Sequence, residues 1–242
     1  MSKTIIVTGA SRGIGRAIAL AFAAKDTNLV INCVNNAQLL DEVKEAIISK
    51  GAKCITFVGD ISKFDTAKEL FECAINEFGS VDVLINNAGI SVIGLFQDLE
   101  RNEWERIMNT NVGSVYNCCH FAIPSMLTNH CGKIINISSV WGVAGASCEV
   151  AYSASKGAVN SLTKALAKEL APSNIQVNAI ACGAIDTDMN SFLSEEDLAA
   201  LNEEIPAGRM GTPDEVAATA VMLANASSYL TGQIITLDGG WI

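Results

Sequence analysis

A tyrosine and a lysine stand four positions apart in the segment ISSVWGVAGASCEVAYSASKG, at Tyr152 and Lys156. On a helix, residues at this spacing project from the same face, so a phenol and an ammonium would share one site. A phenol has a pKa of about 10, and a nearby positive charge lowers that pKa by favouring the phenolate. The pair therefore suits general acid catalysis. A lysine beside a tyrosine is also common on protein surfaces, and the remainder of the chain must distinguish the two.

The segment VTGASRGIG, residues 7–15, lies between an apolar strand pattern and a helical one. Its glycines are spaced G-x-x-x-G-x-G, and they let backbone N–H groups and a helix N-terminus approach a pyrophosphate. We therefore predict a nucleotide-binding turn rather than a plain tight connection. The residues expected to contact the cofactor here are Gly9, Ser11, Arg12, Gly13, Ile14 and Gly15.

The end of the second predicted strand bears on the choice of cofactor. Where an acidic residue would bind the adenosine 2′-hydroxyl of NAD(H), the sequence has Asn32, Cys33 and Val34 followed by two further asparagines. This stretch has no carboxylate that would repel a 2′-phosphate, and Arg12 can supply a guanidinium to bind one. The sequence therefore favours NADP(H), with contacts at Asn32 and Arg12; a merely solvated Arg12 is the alternative.

Two further polar segments follow the third and fourth predicted strands. They are GDIS, which contains Asp60 and Ile61, and INNAG, which contains Asn87, Ala88 and Gly89. Both lie at carboxyl ends of strands, where a doubly wound sheet binds its ligand. We expect these residues to support the cofactor.

Short apolar runs alternate with segments of helical potential along the chain. The runs are KTIIVT, NLVINCV, KCITFV, VDVLIN, GKIINIS, IQVNAI and QIITL. This alternation is typical of a parallel sheet covered by helices on both faces. We predict an α/β fold: one doubly wound, Rossmann-type domain over residues 1–242, with a parallel sheet of about seven strands. An acidic helical segment at 187–206 interrupts the pattern and is expected to cover a substrate.

Composition narrows the class of protein. Half of the 242 residues are hydrophobic, and 26 acidic against 16 basic side chains leave a net charge of −10, which disfavours nucleic acid and anionic membranes as partners. The apolar runs are shorter than the roughly 20 residues that cross a bilayer, and the amino-terminal residues lack a signal-type segment. The eight cysteines include no C-x-x-C pair. We expect a cytoplasmic protein with reduced cysteines and no metal site.

Together these motifs resemble the short-chain dehydrogenase/reductase family over nearly the whole chain. The matching positions are Thr8 to Gly15, Asn86 to Gly89, Asn111, Ser139, Tyr152, Lys156 and the closing LDGGW. The segment IPAGRMGTPDEVA looks like the 3-oxoacyl-[acyl-carrier-protein] reductase branch. The resemblance implies an NADPH-dependent carbonyl reductase that transfers a hydride from nicotinamide to a ketone and assembles as a homotetramer.

The resemblance assigns roles to a catalytic set of four residues. Tyr152 is expected to be the general acid, and Ser139 to hydrogen-bond the substrate oxygen. Lys156 would lower the pKa of Tyr152 and bind the nicotinamide ribose, so both residues would also contact the cofactor. Asn111 would hold a water that links Lys156 to solvent.

The nicotinamide side of the cofactor is expected to contact Gly183, Ile185 and Thr187. One position departs from the family, which usually has Pro-Gly where this chain has Cys182 and Gly183. Loss of the proline frees a backbone donor and loosens φ, and we expect catalysis to survive the change. A reactive thiol is disfavoured at Cys182, because no histidine is near it in sequence.

The sequence leaves two classes of substrate to consider. The carrier-protein branch typically offers basic residues to its acidic partner, but Lys133 is the only full cation in the segments 127–133 and 171–176. Glu149 stands where that branch often has glutamine, and its carboxylate would select an amine-bearing substrate if it faced the pocket; an exposed loop charge is the alternative. The segment SSVWGVAGASCEVAYSASKG also resembles a subgroup that reduces the aminopentanone group on a lysine of elongation factor P.

Ser139, Glu149 and Tyr152 are accordingly the expected substrate contacts. Three functions are left: reduction of a small-molecule or carrier-linked ketone, reduction of a ketone on a modified protein lysine, and non-catalytic nucleotide binding by a regulator. Fold alone does not separate them. The complete set Asn111, Ser139, Tyr152 and Lys156 favours an enzyme over a regulator.

Overall fold

The seven predicted strands form one parallel sheet. The computed structural model describes residues 2–191 and 193–242. The strands are β1 Lys3–Val7, β2 Thr27–Cys33, β3 Lys53–Val58, β4 Val83–Asn86, β5 Gly132–Ser139, β6 Ile175–Cys182 and β7 Ile234–Leu237. Their order is β3-β2-β1-β4-β5-β6-β7, and every neighbouring pair is parallel. The predicted single-domain, doubly wound α/β fold is confirmed.

Helices cover both faces of this sheet. They are α1 Gly13–Phe22, α2 Ala37–Ser49, α3 Phe64–Phe78, α4 Arg101–Met108, α5 Ser114–Asn129, α6 Val150–Leu170, α7 Glu195–Glu204 and α8 Pro213–Asn225. Helices α1, α2 and α8 pack on one face, and α3, α5 and α6 pack on the other. Successive residues of a strand alternate between the two layers, as Ile5 and Ile6 of β1 do. Both layers are apolar, which explains why the strands read as continuous hydrophobic runs.

The sheet topology gathers the polar segments at one edge. In a parallel sheet, all carboxyl ends of the strands lie on the same side, and a crevice opens where the strand order reverses. Here the order reverses between β1 and β4, which are hydrogen-bonded neighbours in the centre. The glycine turn follows β1 and the INNAG segment ends β4, so both lie at this crevice.

The segment 187–206 contains a short 3-10 turn, Asp188–Asn190, followed by α7. Ser194 and Asp197 form a capping box that begins α7. Its role in covering a substrate stays a prediction. Among the described residues, no helix combines the length and the apolar character needed to span a membrane.

Candidate active site

Helix α6 places Tyr152 and Lys156 together, as their spacing predicts. The Lys156 Nζ atom lies 5.6 Å from the centre of the Tyr152 ring. It donates a 2.8 Å hydrogen bond to the Ile137 carbonyl of β5, and Lys156 is only 5% exposed. A Cβ added to Gly142 would lie 2.6 Å from the carbonyl carbon of Lys156, so glycine lets the loop after β5 pack directly on α6. Gly89 lies near the ammonium, since a Cβ there would be 3.4 Å from Nζ.

Burial dominates the pKa values of both groups. It raises the pKa of Tyr152, a hydrogen bond from the Ser139 hydroxyl lowers it, and the charge of Glu149 adds to the rise. Burial lowers the pKa of Lys156 to about 8. Lys156 is not among the groups that shift the pKa of Tyr152 in this structure, so the lowering of that pKa by Lys156 stays a prediction. With its pKa raised, Tyr152 keeps its proton.

Ser139 ends β5 and caps the 3-10 turn Val140–Gly142. Its Oγ accepts a 3.1 Å hydrogen bond from the backbone N–H of Trp141. The hydroxyl proton is not used in that bond and faces the Tyr152 oxygen, so a substrate oxygen placed beside Tyr152 could accept it in place of the phenol. This arrangement suits a donor that stabilises a developing alkoxide.

Asn111 lies in a π-helical turn, Asn109–Gly113, that joins α4 to α5. Its Oδ1 accepts from the Ile90 N–H at 2.8 Å, and its Nδ2 donates to the Ile90 carbonyl at 2.9 Å and to Ser155 Oγ at 3.0 Å. The side chain therefore ties the loop after β4 to α6. The expected role of Asn111 in holding a water stays a prediction.

The glycine turn has the geometry that a pyrophosphate requires. Gly9 and Gly13 have φ angles of 63° and 53°, in the region that glycine adopts without strain. A Cβ on Gly15 would overlap the Gly9 carbonyl, so α1 begins directly against the turn. Arg12 precedes α1 without a capping side-chain bond, which leaves the first N–H groups of the helix for an anion. Ser11 and Ile14 are half-buried on the same turn. These residues fit a dinucleotide cofactor.

Asn87 holds the INNAG segment against the glycine turn. Its Nδ2 donates to the carbonyls of Thr8 and Gly9 at 2.9 and 3.0 Å. In return, Thr8 Oγ1 accepts from the backbone N–H groups of Asn87 and Ala88. These bonds connect the proposed pyrophosphate turn to the loop that reaches Lys156.

Asn32 is buried at the end of β2, and its amide is engaged within the protein. Its Nδ2 donates to the carbonyls of Phe57 and Gly59 at 3.1 and 3.0 Å, which supports the turn after β3. Its Oδ1 is buried and has no hydrogen-bond partner among the residues that the structure describes. A contact between Asn32 and the cofactor stays a prediction.

The turn after β3 is held by hydrogen bonds within the turn and by a residue of α5. Asp60 accepts from the N–H and the hydroxyl of Ser62, and Ile61 is buried. Asn117 of α5 donates to the carbonyls of Ile61 and Ser62, both at 3.0 Å. The turn that contains Asp60 and Ile61 is thereby held in place at the carboxyl end of β3, and its contact with the cofactor stays a prediction.

The nicotinamide side begins where β6 ends. Cys182 is the sheet neighbour of Ser139, and burial raises the pKa of its thiol to about 12, with a smaller opposing effect from Lys156. The thiol is therefore neutral and a weak nucleophile, in agreement with the sequence-based expectation. Gly183 passes close to Asp238, where an added Cβ would lie 2.7 Å from the Asp238 Cβ.

The segment that starts at residue 187 begins against the glycine turn. Ile185 is buried, and the Cγ2 atom of Thr187 would lie 3.4 Å from a Cβ on Gly13. Arg12 forms an ion pair with Asp188, with 3.3 Å between Nη1 and Oδ2. Arg12 is exposed, yet it is not merely solvated. Its side chain bridges the turn to this segment.

Glu149 precedes α6 and is half-buried. Its Oε2 accepts a 2.6 Å hydrogen bond from Ser91 Oγ, and its charge raises the pKa of Tyr152. Cys148 before it adopts a left-handed backbone with φ of 62°, and the Cys148 carbonyl accepts from the Gly94 N–H at 2.8 Å. The loop before α6 and the loop after β4 are thus joined at two points, close to the phenol.

Three supporting residues carry no signal in the sequence. They are Ser91, Asn117 and Ser155, which bind Glu149, the turn after β3 and Asn111, respectively. Each partner lies more than 40 positions away along the chain. Local patterns cannot reveal such contacts, because a serine or an asparagine is also ordinary in a loop or a helix.

The site combines a glycine turn for a dinucleotide with a phenol, a hydroxyl and a buried ammonium. A family model described as enoyl-(acyl carrier protein) reductase matches residues 9–242. The chain is 39% identical over 241 residues to the 3-oxoacyl-[acyl-carrier-protein] reductase FabG of Staphylococcus epidermidis, and the match covers 99% of each protein.

Two solved structures share the whole fold. YwfH, an NADPH dependent reductase involved in bacilysin biosynthesis, superposes with a TM-score of 0.94 at 32% identity over 100% of this chain and 99% of YwfH. A short-chain type dehydrogenase/reductase from Mycobacterium marinum has a TM-score of 0.93 at 34% identity over 99% of this chain and 95% of that one. The protein therefore belongs to the short-chain dehydrogenase/reductase family and is an oxidoreductase that acts on CH–OH or C=O groups with a nicotinamide cofactor.

Proposed function

We propose that the protein is an NADPH-dependent ketone reductase. The observation that carries this proposal is the convergence of Ser139, Tyr152 and Lys156 beside the glycine turn. Residues 32–36 contain no carboxylate, and the exposed Arg12 of the glycine turn can bind a 2′-phosphate, so NADPH is preferred to NADH. The description of YwfH as NADPH dependent supports the same preference. NADPH would supply the hydride that converts the carbonyl carbon to an alcohol.

The side chains of the site would supply the rest of the reaction. Ser139 donates a hydrogen bond to the substrate oxygen, and Tyr152 gives its proton to the same oxygen as negative charge develops there. One ammonium proton of Lys156 is committed to the Ile137 carbonyl, so the other two are available for ribose hydroxyls. The relay that returns a proton to Tyr152 passes along Lys156 toward Asn111.

The direct test follows NADPH absorbance with a panel of ketones, comparing wild type with Tyr152→Phe. The variant should lose at least a hundredfold in turnover, the usual contribution of a positioned general acid, while NADPH binding stays within about twofold. Activity within tenfold of wild type would remove Tyr152 from the mechanism. If wild type oxidised NADPH with no ketone of the panel but still bound it, the non-catalytic regulator would be the better proposal.

Two candidate substrate classes follow from the surroundings of Tyr152. The likeness to FabG supports a 3-oxoacyl group carried by an acidic carrier protein. Docking of that partner would need cations, and Lys133 donates a 2.9 Å hydrogen bond to the Ala226 carbonyl and is partly buried. Electrostatic steering of an acidic carrier toward this surface would therefore be weak.

Glu149 favours the second class, a ketone that carries an amine. Its carboxylate is half-buried, is held by Ser91 and lies close enough to influence Tyr152. An ammonium group on the substrate would form a charge-assisted hydrogen bond there, worth roughly 1.5–3 kcal/mol if largely desolvated and less if wet. The aminopentanone group on a lysine of elongation factor P has this chemistry, and it is the second candidate substrate.

We also propose that the protein assembles as a homotetramer. Large apolar side chains are exposed on the outer surface of α3 and α5, among them Phe64, Tyr116 and Leu127. A second group, Met222, Tyr229 and Ile242, is exposed on α8 and towards the carboxyl end. Two separate apolar surfaces are what a tetramer of two-fold symmetry would cover.

A further inference from the structure

Arg12 and Asp188 form an ion pair at the mouth of the cofactor crevice. The Arg12 Nη1 atom lies 3.3 Å from the Asp188 Oδ2 atom. Arg12 belongs to the glycine turn, and Asp188 begins the 3-10 turn that follows Thr187. The contact joins parts of the chain that are 176 positions apart, so it exists only in the folded protein.

This contact engages the same guanidinium that would bind the 2′-phosphate of NADPH. Thr187, next to Asp188, packs near Gly13, since a Cβ added to Gly13 would lie 3.4 Å from Thr187 Cγ2. Helix α1 begins at Gly13 without a capping side chain. Asp188 therefore brings a negative charge to a place that is otherwise built to receive anions. An arginine that leaves a carboxylate to bind a phosphate must give up the first interaction before it gains the second.

We propose that Asp188 determines cofactor affinity by competing with the 2′-phosphate of NADPH for Arg12. In the cofactor-free protein, the carboxylate holds the guanidinium; when NADPH binds, the phosphate displaces it. The inference rests on the proposed NADPH preference. It adds Asp188, a residue that no step of the reaction uses, as a determinant of how strongly and how selectively NADPH binds.

The expected effect is moderate, because the side chains of Arg12 and Asp188 are 69% and 68% exposed. Exposed ion pairs change an equilibrium by at most about fivefold. Asp188→Asn should therefore tighten NADPH about two- to fivefold, and should tighten NADH less, since NADH has no 2′-phosphate. The gain should diminish in high salt, because exposed charges are screened.

Fluorescence titration of each cofactor without substrate measures this effect independently of turnover. Glu196→Gln is the matched control, since it removes one negative charge from the exposed start of α7 in the same segment. The double variant Arg12→Ala with Asp188→Asn completes a cycle. If the two residues compete as proposed, Asp188→Asn gives no gain in NADPH affinity once Arg12 is absent.

The outcomes separate this inference from the proposed function. Equal losses of NADPH and NADH affinity in Arg12→Ala would overturn the proposed reading of the 2′-phosphate by Arg12. A selective NADPH loss in Arg12→Ala, together with an Asp188→Asn affinity no tighter than that of Glu196→Gln, would overturn the role of Asp188 alone. An Asp188→Asn gain that persists without Arg12 would also overturn it, because the carboxylate would then act only by general repulsion.

Discussion

Lys156 carries its charge in a place from which water is largely excluded. Burial lowers its pKa to about 8, and among the described residues the ammonium donates one hydrogen bond, to the Ile137 carbonyl. A buried ammonium with so few partners costs folding free energy. In the proposed reaction, that ammonium binds the ribose and takes part in the proton relay, so Lys156 would lower stability in exchange for activity.

The first prediction at this scale concerns Lys156→Met in the cofactor-free protein. A pKa lowered from 10.5 to about 8 means that the charged form of Lys156 costs roughly 3 kcal/mol of folding free energy. Loss of the hydrogen bond to Ile137 in the variant offsets about 1 kcal/mol of the stability gained. The variant should be inactive, yet its Tm at pH 7 should be higher by about 4 °C or more. Calorimetry at one protein concentration measures this difference.

The pH dependence gives the control for this variant. The folded pKa of Lys156 lies below the unfolded value, so the unfolded chain binds more protons between about pH 8 and 10.5. Wild-type stability should therefore rise relative to the variant across that window, and the advantage of Lys156→Met should shrink. A variant that is less stable than wild type at pH 7 and shows no such trend would contradict the cost assigned to the buried ammonium.

At the scale of elements, two loops form one wall of the site. The loop after β4 and the loop before α6 are joined by the Gly94 to Cys148 hydrogen bond and by the Ser91 to Glu149 hydrogen bond. Cys148 adopts a left-handed backbone, which costs a non-glycine residue about 1 kcal/mol. The loop pairing maintains this conformation, and it keeps the Glu149 carboxylate beside α6 instead of in open solvent.

Because these loops hold Glu149 beside α6, we predict that Glu149→Gln changes the substrate preference. The variant should lower kcat/KM for an amine-bearing ketone about tenfold or more, and should spare or improve 3-oxoacyl thioesters, because only the amine gains from the carboxylate. Ser91→Ala should have a smaller effect in the same direction, since it releases the carboxylate without removing its charge.

Glu42→Gln is the matched control for this substrate test, because it removes the same charge at an exposed position of α2, outside the surfaces proposed for assembly. Its kcat/KM values should equal those of wild type for both ketones. If Glu149→Gln changed both substrate classes alike, Glu149 would be a loop charge. The 3-oxoacyl thioester would then be the preferred substrate of the two.

Helices α4 and α5 are consecutive along the chain and are joined by an irregular turn. This turn, Asn109–Gly113, is π-helical, and its Asn111 reaches both Ile90 and Ser155. An irregular turn in an otherwise regular helix often marks a functional position, since it redirects one residue without ending the helix. Asn111 is thereby a positioning residue for Ile90 and α6 through its side chain.

At the scale of the whole molecule, the exposed apolar surfaces predict the homotetramer. Light scattering of wild type at micromolar concentration should give about four times the 25.5 kDa chain mass. Tyr116→Arg should lower that mass, because a charge would be buried where a partner subunit is proposed to cover α3 and α5. Ile48→Arg, an equally apolar but separate exposed position on α2, should leave it unchanged. A wild-type protein of monomer mass would contradict the assembly.

The sequence by itself determined the seven strands and their alternation with helical segments. Hydrophobic periodicity is local, so runs such as KTIIVT and GKIINIS identify buried strands without knowledge of their neighbours. The shared face of Tyr152 and Lys156 is local too, because it follows from a spacing of four on one helix. The glycine turn was also predictable, since the required positive φ angles favour glycine at Gly9 and Gly13.

Only the tertiary structure decided how these parts act on one another. The pairs Asn111 with Ser155, Ser91 with Glu149, and Arg12 with Asp188 are separated by 44, 58 and 176 positions. The raised pKa of Tyr152 is also a tertiary effect, because burial of the phenol is its largest cause. Contacts and desolvation arise from packing between distant segments, and a local pattern of residues contains no information about which distant segment will be adjacent.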